Sequence, residues 1–333
     1  MGRTGTWLLV AAVGVLALAA TVDAVRGRGG EQESEPRPTT TEPARRPGPE
    51  GEAWRRSAGE RLRVRGVRGE LLWVDAGCRL SALTLPALAD VPAVRGRACE
   101  FTTSPGGGFA ANGLVVSPNG RATASCTGGE VEVRGPADAL RGFRGCAPAW
   151  TPDGRLTLVR DGGLVAVSPR CAADEGTCAR PVLSRDDLRR VFGRVPWEFR
   201  EPVLKEVAWL SEQTYAAIVS DRATRQDLIA VMRGRSLVTA PPFGYDLLTN
   251  LRASPRGTYA AALINRRALV FIDNRGRYQA SGLRSAHAVA WSPDEQWTAA
   301  ATDEGIYLYE TATRAAELIR LPIIASDLVW RPR

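Results

Sequence analysis

A short phrase recurs along the chain, and it constrains the fold more than any single residue does. It reads Ala-Trp-Thr-Pro-Asp-Gly at 149–154, Ala-Ser-Pro-Arg-Gly at 253–257 and Ala-Trp-Ser-Pro-Asp-Glu at 290–295. Weaker copies begin at Val116 and Ala208. Proline fixes φ at the second position of a turn, aspartate bonds its own backbone, and glycine adopts a positive φ. Each copy therefore predicts a hairpin corner.

The spacing of the copies matches one four-stranded unit of antiparallel sheet. The steps between equivalent positions are 34, 59, 44, 38 and 39 residues, and such a unit needs roughly 40–50 residues. The equivalent positions are Val116, Trp150, Trp209, Ala253, Trp291 and Trp330. Two apolar runs follow most corners, as at 259–264 and 268–273. Runs composed of apolar and small residues are typical of sheets that are covered on both faces.

The corner phrase and its paired strands resemble the TolB-type, WD-repeat-like β-propeller repeat, whose common form reads roughly Trp-Ser-Pro-Asp-Gly. The resemblance covers about residues 71–333 and implies an all-β propeller that serves as a binding or scaffolding platform. Residues 70–75 look like the second half of a unit whose first half lies at 328–332. We therefore expect six blades and circular closure, in which the C-terminal strand completes the first blade.

The N-terminus carries an apolar run from Trp7 to Val22, extended to Val25 and flanked by arginines. This length is near the lower limit for a membrane span and long for the core of a signal peptide. We predict a single-pass signal anchor over residues 1–28, with a cleaved signal as the alternative. In both cases the rest of the chain lies on the extracytoplasmic side. Residues 29–60, rich in Pro, Glu and Thr, predict a disordered stalk before a propeller domain at 61–333.

The six cysteines all lie in the first half of the predicted propeller. They are Cys78, Cys99, Cys126, Cys146, Cys171 and Cys178. Their spacing contains no Cys-x2-Cys and does not suit a metal. An even number favours disulfides and hence an oxidising exterior. The closest pair in sequence, Cys171 with Cys178, is the strongest candidate for a disulfide. Pairing in sequence order also joins Cys78 to Cys99 and Cys126 to Cys146, although other pairings remain open.

The positive net charge does not predict a nucleic-acid partner. The chain has 44 Lys and Arg against 36 Asp and Glu, a formal charge of +8, yet Lys205 is its only lysine. Arginine bias together with abundant Ala and Gly is typical of a high-GC bacterial genome, such as that of an actinobacterium. The charges of both signs are interspersed, whereas a nucleic-acid surface would need a basic stripe.

The longest step between repeats contains an insertion at about 171–204. Ser184 can cap a helix with Asp186 and Asp187 in its first turn, and Gly193 can end it. Leu188, Val191 and Phe192 form one apolar face of this helix, and Trp197 and Phe199 follow it. One interpretation is that they pack over the end of the blades. The alternative is that they form an element on which a partner docks, because insertions in repeat folds map to one face.

No reactive constellation emerges, so we predict no catalytic residue, metal or cofactor. His287 is the only histidine, and no Gly-x-Ser-x-Gly motif is present. The function predicted is a non-catalytic, membrane-tethered scaffold with a monomeric head that binds a protein or an envelope component. The alternative is a lactonase-like, Ca²⁺-dependent hydrolase of a small extracellular substrate. Its candidate ligands are Asp75, Asp246, Asn250 and Asp273. Carboxylates that converge on the channel would favour the hydrolase, and an arginine-lined channel would exclude it.

Overall fold

Antiparallel strands dominate the part of the chain that the computed structural model describes. These residues are 49–92, 97–103, 109–111, 113–135, 140–168, 178–194, 199–241, 244–312 and 318–333. Sheet 1 contains β1 (Gly69–Val74), β2 (Leu80–Leu85) and β25 (Asp327–Arg331). Sheet 2 contains β5 (Val115–Val116), β6 (Thr123–Thr127), β7 (Glu130–Arg134) and β8 (Leu140–Arg144). Sheet 3 contains β9 (Cys146–Trp150), β10 (Leu156–Arg160), β11 (Gly163–Val167) and β12 (Ala179–Leu183). A separate hairpin pairs β3 (Phe101–Thr103) with β4 (Phe109–Ala111).

The later part of the chain forms three more sheets. Sheet 4 contains β13 (Pro202–Trp209), β14 (Thr214–Asp221), β15 (Gln226–Arg233) and β16 (Ser236–Thr239). Sheet 5 contains β17 (Leu248–Ala253), β18 (Tyr259–Ile264), β19 (Ala268–Asp273) and β20 (Tyr278–Ala280). Sheet 6 contains β21 (Ala288–Trp291), β22 (Trp297–Thr302), β23 (Gly305–Glu310) and β24 (Ile319–Leu321). In the described part of the chain, the helices α1 (Pro49–Val64) and α2 (Arg185–Phe192) accompany the sheets.

Sheets 2 to 6 are meanders in which each strand pairs with the next along the chain. We call β5, β9, β13, β17, β21 and β25 the inner strands. They pack from sheet to sheet, β5 on β9, β9 on β13, β13 on β17 and β21 on β25. Successive meanders that meet through their first strands have the arrangement of β-propeller blades. The all-β class and the propeller-like succession of sheets, both predicted from the repeat, are confirmed.

The two ends of the propeller domain meet in sheet 1. β25 runs antiparallel to β1, with Leu71 opposite Trp330 and Leu72 opposite Val329. Arg331 Nε donates to Glu70 Oε2 at 2.7 Å. The C-terminal strand therefore lies beside the strand near Leu71, as the two half-repeats indicated.

Each well-formed copy of the repeated phrase is the corner that leaves an inner strand. At three corners the glycine N–H donates to the carbonyl three residues earlier, as Gly154 does to Thr151 at 2.9 Å. A second hydrogen bond at each corner is formed by the side chain of the residue before the proline. Its hydroxyl accepts a backbone N–H at or just before the start of the next strand, at 2.9 Å in all four corners, and the residue is buried. The four residues are Ser117, Thr151, Ser254 and Ser292.

The tryptophan of the phrase belongs to a buried cluster that includes a small residue of the preceding sheet. Trp150 shares a buried cluster with Ala124, Trp291 with Ala261, and Trp330 with Ala299. Trp209 donates from Nε1 to Thr157 Oγ1 at 2.9 Å. Only a small side chain leaves room for an indole between sheets, which explains why the strands that follow the corners are rich in alanine.

Two of the predicted disulfides are present. Cys78 pairs with Cys99 and Cys126 pairs with Cys146, with Cα atoms 4.3 and 5.3 Å apart. Cys178 is also disulfide-bonded. Its predicted partner, Cys171, lies outside the described residues.

The predicted stalk needs a correction at its C-terminal end, because residues 49–64 form helix α1. Ala58 and Leu62 are buried in one cluster with residues of β2 and β24, and Trp54 packs on the same cluster. Arg55 NH2 donates to Asp90 Oδ1 at 2.9 Å. The spacing of Trp54, Ala58 and Leu62 is the i, i+4, i+8 pattern of a helix face, a signal that the composition of the Pro- and Glu-rich region obscured.

The second helix, α2, begins and ends where the sequence indicates. Ser184 caps it, with its Oγ accepting from the N–H of Asp187 at 3.0 Å while Asp187 Oδ2 accepts from the N–H of Ser184. Leu188 and Phe192 are fully buried in a cluster with strands of sheet 4, and Val191 packs at its edge. Trp197 lies outside the described residues. A partner cannot reach Leu188 or Phe192 unless the helix moves.

The predicted anchor at residues 1–28 and the stalk up to residue 48 lie outside the described residues. Neither α1 nor α2 is both long enough and apolar enough to cross a membrane.

Candidate functional site

The most unusual side chain of the described chain is Arg252, on the inner strand β17. It is only 4% exposed. Its guanidinium donates to the carbonyl oxygens of Phe101 at 2.9 Å, Leu328 at 3.3 Å and Val289 at 3.4 Å. These acceptors lie on β3, β25 and β21, so one side chain bridges four strands that meet at the centre of the sheets.

A buried carboxylate faces this arginine. Arg252 NH2 donates to Asp327 Oδ2 at 2.6 Å, and Asp327 also accepts from the backbone N–H of Phe101 at 2.7 Å. On the other side, Arg252 Nε donates to Asn250 Oδ1 at 3.0 Å. We call Asn250, Arg252 and Asp327 the axial cluster. Because both charges are almost fully buried, each depends on the other and on its hydrogen bonds.

A cavity of about 360 Å³ adjoins the axial cluster. Parts of β3, β9, β13 and β17 line it, including Thr103, Trp150, Glu206 and Asn250. The pairing of β9, β13 and β17 with the second strand of the same sheet shifts register at this level. Such irregularities turn side chains out of the regular alternation and occur next to binding sites. We call this space the axial cavity.

Glu206 is the acidic residue of the axial cavity. Its Oε2 accepts from the backbone N–H of Leu251 at 2.8 Å, and burial raises the pKa of its carboxyl group. The neighbouring Lys205 points elsewhere, with Nζ 2.6 Å from Asp227 Oδ2. The cavity therefore offers one partly desolvated carboxyl group and the amide of Asn250 within apolar walls.

The four candidate calcium ligands do not form a site. Asp75 and Asp273 are turn residues that accept backbone N–H groups and the side chains of Arg79 and Arg277. Asp246 is exposed, and Asn250 accepts from Arg252. The described residues contain no group of three or more His, Cys, Asp or Glu that could hold a metal. Asp75, Asp273 and Asn250 are each engaged within their own turn or strand, so these residues do not fit the ion.

His287 contacts backbone carbonyls. Nε2 lies 2.7 Å from the oxygen of Ala325, and Nδ1 lies 3.1 Å from the oxygen of Ser285. These contacts tie the chain before β21 to the segment before β25, which is a structural role.

Sequence reasoning missed Arg252 and Asp327. The signal was weak: an arginine directly before the corner alanine in an otherwise neutral strand, and an aspartate at the start of the last strand. Their pairing became visible only when the inner strands came together, because 75 residues separate them.

No protein-family model and no curated protein matches the chain. Among solved structures it is similar to the β-propeller domain of Cps50 (Swd1) from Myceliophteria thermophila, with 13% identity, 79% of this chain and 90% of that chain covered, and a TM-score of 0.48. It is also similar to hydrazine synthase from Kuenenia stuttgartiensis (11%, 73% and 74%, TM-score 0.44) and to a chain of a mitotic checkpoint complex (14%, 68% and 70%, TM-score 0.42). These likenesses are too distant to carry a function.

Proposed function

We propose that this protein is a non-catalytic binding scaffold, a six-bladed propeller whose ring is closed by β25. In this proposal an N-terminal anchor within residues 1–28 tethers the propeller to the membrane on the extracytoplasmic side. The partner is a protein or a component of the cell envelope, and the head is monomeric.

The axial cluster is the observation that carries the proposal. A channel that serves catalysis keeps reactive groups free, whereas here the central charges of Arg252 and Asp327 are engaged with each other and with backbone groups. A rigid centre of this kind suits a platform that presents a fixed face to a partner. The axial cavity gives that face a concave feature with one carboxyl group.

The disulfides support the proposed location. Two pairs are present in the described chain, and structural disulfides persist in oxidising compartments. The apolar run at 7–25 is the matching feature of the sequence.

A pull-down against cell-envelope extract tests the proposal, with the full chain tagged and solubilised in mild detergent. We expect saturable capture of one component that Thr103→Arg at the axial cavity abolishes. Val238→Arg adds the same charge on β16, where the valine is 40% exposed, and should leave capture intact. Capture that resists Thr103→Arg, or no capture above background, would count against a scaffold that binds through this face.

Protease treatment of intact cells tests the location separately. We expect the propeller domain to be degraded or released while cytoplasmic markers survive. A domain that remains protected until the membrane is broken would contradict the extracytoplasmic placement.

A further inference from the structure

A second cavity, of about 280 Å³, lies between sheets 5 and 6 and is independent of the axial cavity. Its size is close to the lower end, near 300 Å³, of sites that hold small molecules. We call it the intersheet cavity. Three aromatic side chains line it: Tyr259 and Phe271 of sheet 5 and Tyr309 of sheet 6.

The aromatic wall is rigid. Phe271 contacts Trp291 edge-on, with ring centroids 6.3 Å apart. Tyr309 is only 4% exposed and belongs to the same buried cluster as Trp291. Tyr259 and Phe271 are only partly buried and keep part of their surface in the cavity. Offset or edge-on stacking of a flat ring on such side chains contributes beyond the area that it buries.

The polar edge of the cavity is set by Arg277. Its Nε donates to Asp273 Oδ2 at 2.6 Å, which fixes the direction of the guanidinium. Burial opposes ionisation of Asp273, but hydrogen bonds from the backbone and side chain of Arg277 outweigh it and lower the pKa of this carboxyl group. Arg277 is 70% exposed, and among the described residues its two terminal NH groups have no acceptor.

The other polar side chains of the lining, besides the tyrosines, are Gln279, Ser281, Thr298 and Thr311. The hydroxyls of Thr298 and Thr311 are hydrogen-bonded to each other, and Ser281 donates to the carbonyl of Leu283. The amide of Gln279 has no hydrogen-bond partner in the described part of the chain. Among the described residues that line the cavity, the charged ones are Arg277 and its partner Asp273. Since Asp273 is engaged, the charged donors that remain free at the edge are the terminal NH groups of Arg277. A planar carboxylate can accept two of them together.

We propose that the intersheet cavity binds a small aromatic carboxylate, with its ring against Tyr259 and Phe271 and its acidic group on the terminal NH groups of Arg277. An aliphatic acid would leave the aromatic wall unused.

Titration calorimetry with the full-length chain tests this site, with 2-naphthoate as the probe and neutral 2-naphthamide as its isostere. We expect saturable binding of 2-naphthoate and weaker binding of the amide. Arg277→Gln should weaken 2-naphthoate by about 10-fold or more, as a charge-assisted bond of about 1.5–3 kcal/mol requires, and leave 2-naphthamide unchanged. Phe271→Leu should weaken both ligands.

Arg275→Gln is the matched control. Arg275 lies in the same turn, is exposed, and contacts Asp273 only through its backbone N–H, so binding should not change. Gln279→Trp, which fills the cavity from a partly exposed position, should block both ligands and replaces Phe271→Leu if that variant unfolds. The proposal is wrong if 2-naphthoate does not bind at millimolar concentration, if the amide binds equally well, or if Arg277→Gln and Arg275→Gln behave alike.

Discussion

The two halves of the propeller are stabilised in different ways. The pairs Cys78–Cys99 and Cys126–Cys146 lie in the part of the described chain that forms sheets 1 to 3. The middle strands of sheet 2 alternate between buried and partly exposed residues. Sheets 4 to 6 have long middle strands, such as β14, β15 and β22, that are buried almost throughout. Where strands bury little apolar surface, covalent links restrict the unfolded chain. Where burial is extensive, packing alone suffices.

Arg252 connects these two halves, and its replacement should have the largest effect. Arg252→Met leaves Asp327 buried without a cation and removes the bond to the carbonyl of Phe101. We expect a loss of about 3–5 kcal/mol, typical of breaking one member of a buried ion pair. The measurement is the denaturant midpoint of unfolding.

The double variant Arg252→Met/Asp327→Leu is the control for this effect. It should recover much of the loss because no unpaired charge remains. If the single variant unfolds at the same midpoint as the unaltered protein, Arg252 does not connect the halves.

Helix α1 is the second connection, because it packs on β2 of sheet 1 and on β24 of sheet 6. Leu62→Ala removes a fully buried side chain and should cost about 2–5 kcal/mol. Val64→Ala, at a position that is 78% exposed, should change the thermal midpoint little. Equal effects of the two substitutions would mean that α1 does not dock.

Removal of a disulfide should affect only the first half. Cys78→Ser/Cys99→Ser opens a link across 21 residues, for which we expect a loss of about 2–4 kcal/mol. Hydrogen exchange should accelerate in sheets 1 and 2 and stay slow in β14 and β22. Uniform acceleration would show that the halves do not differ in the way described.

A gain in stability is expected in the second half. Trp291 Nε1 is buried and has no acceptor among the described residues, whereas Trp209 donates to Thr157. Ala261 occupies the position equivalent to Thr157. Thr157 lies opposite Ala149 and Ala261 lies opposite Arg252, and each of these partners stands two residues before the Thr or Ser of its corner. Ala261→Ser should supply the acceptor and raise stability by about 0.5–1.5 kcal/mol, measured against Ala262→Ser. A loss at Ala261 equal to that at Ala262 would contradict the equivalence.

The smallest effect concerns the pH dependence of helix α2. Hydrogen bonds from the backbone and side chain of Ser184 lower the pKa of Asp187. The carboxylate of Asp187 therefore contributes fully to the stability of the folded protein when the pH is above its ordinary pKa near 4. This contribution is lost as the pH falls through the lower pKa of the folded state. Asp187→Asn should be less stable than the unaltered protein at neutral pH, with the difference shrinking on acidification. A constant difference would be inconsistent with this role.

The sequence predicts the repeated part of this molecule well and the unique part poorly. The corners, the strands 259–264 and 268–273 and the cap at Ser184 follow from local turn and helix chemistry, which a single sequence carries. Arg252 and Asp327 become partners only through the assembly of distant inner strands. The Pro- and Glu-rich composition of residues 29–60 hides helix α1, whose sequence signal is the spacing of Trp54, Ala58 and Leu62.

The central claim is that the last strand belongs to the same sheet as the first. Hydrogen exchange in the full chain, compared with a chain that lacks residues 328–333, measures this directly. We predict slow exchange of the β1 amides (Gly69–Val74) in the full chain and fast exchange after the deletion, because β25 occupies one edge of β1. Protection of β1 that is unchanged by the deletion would contradict the account.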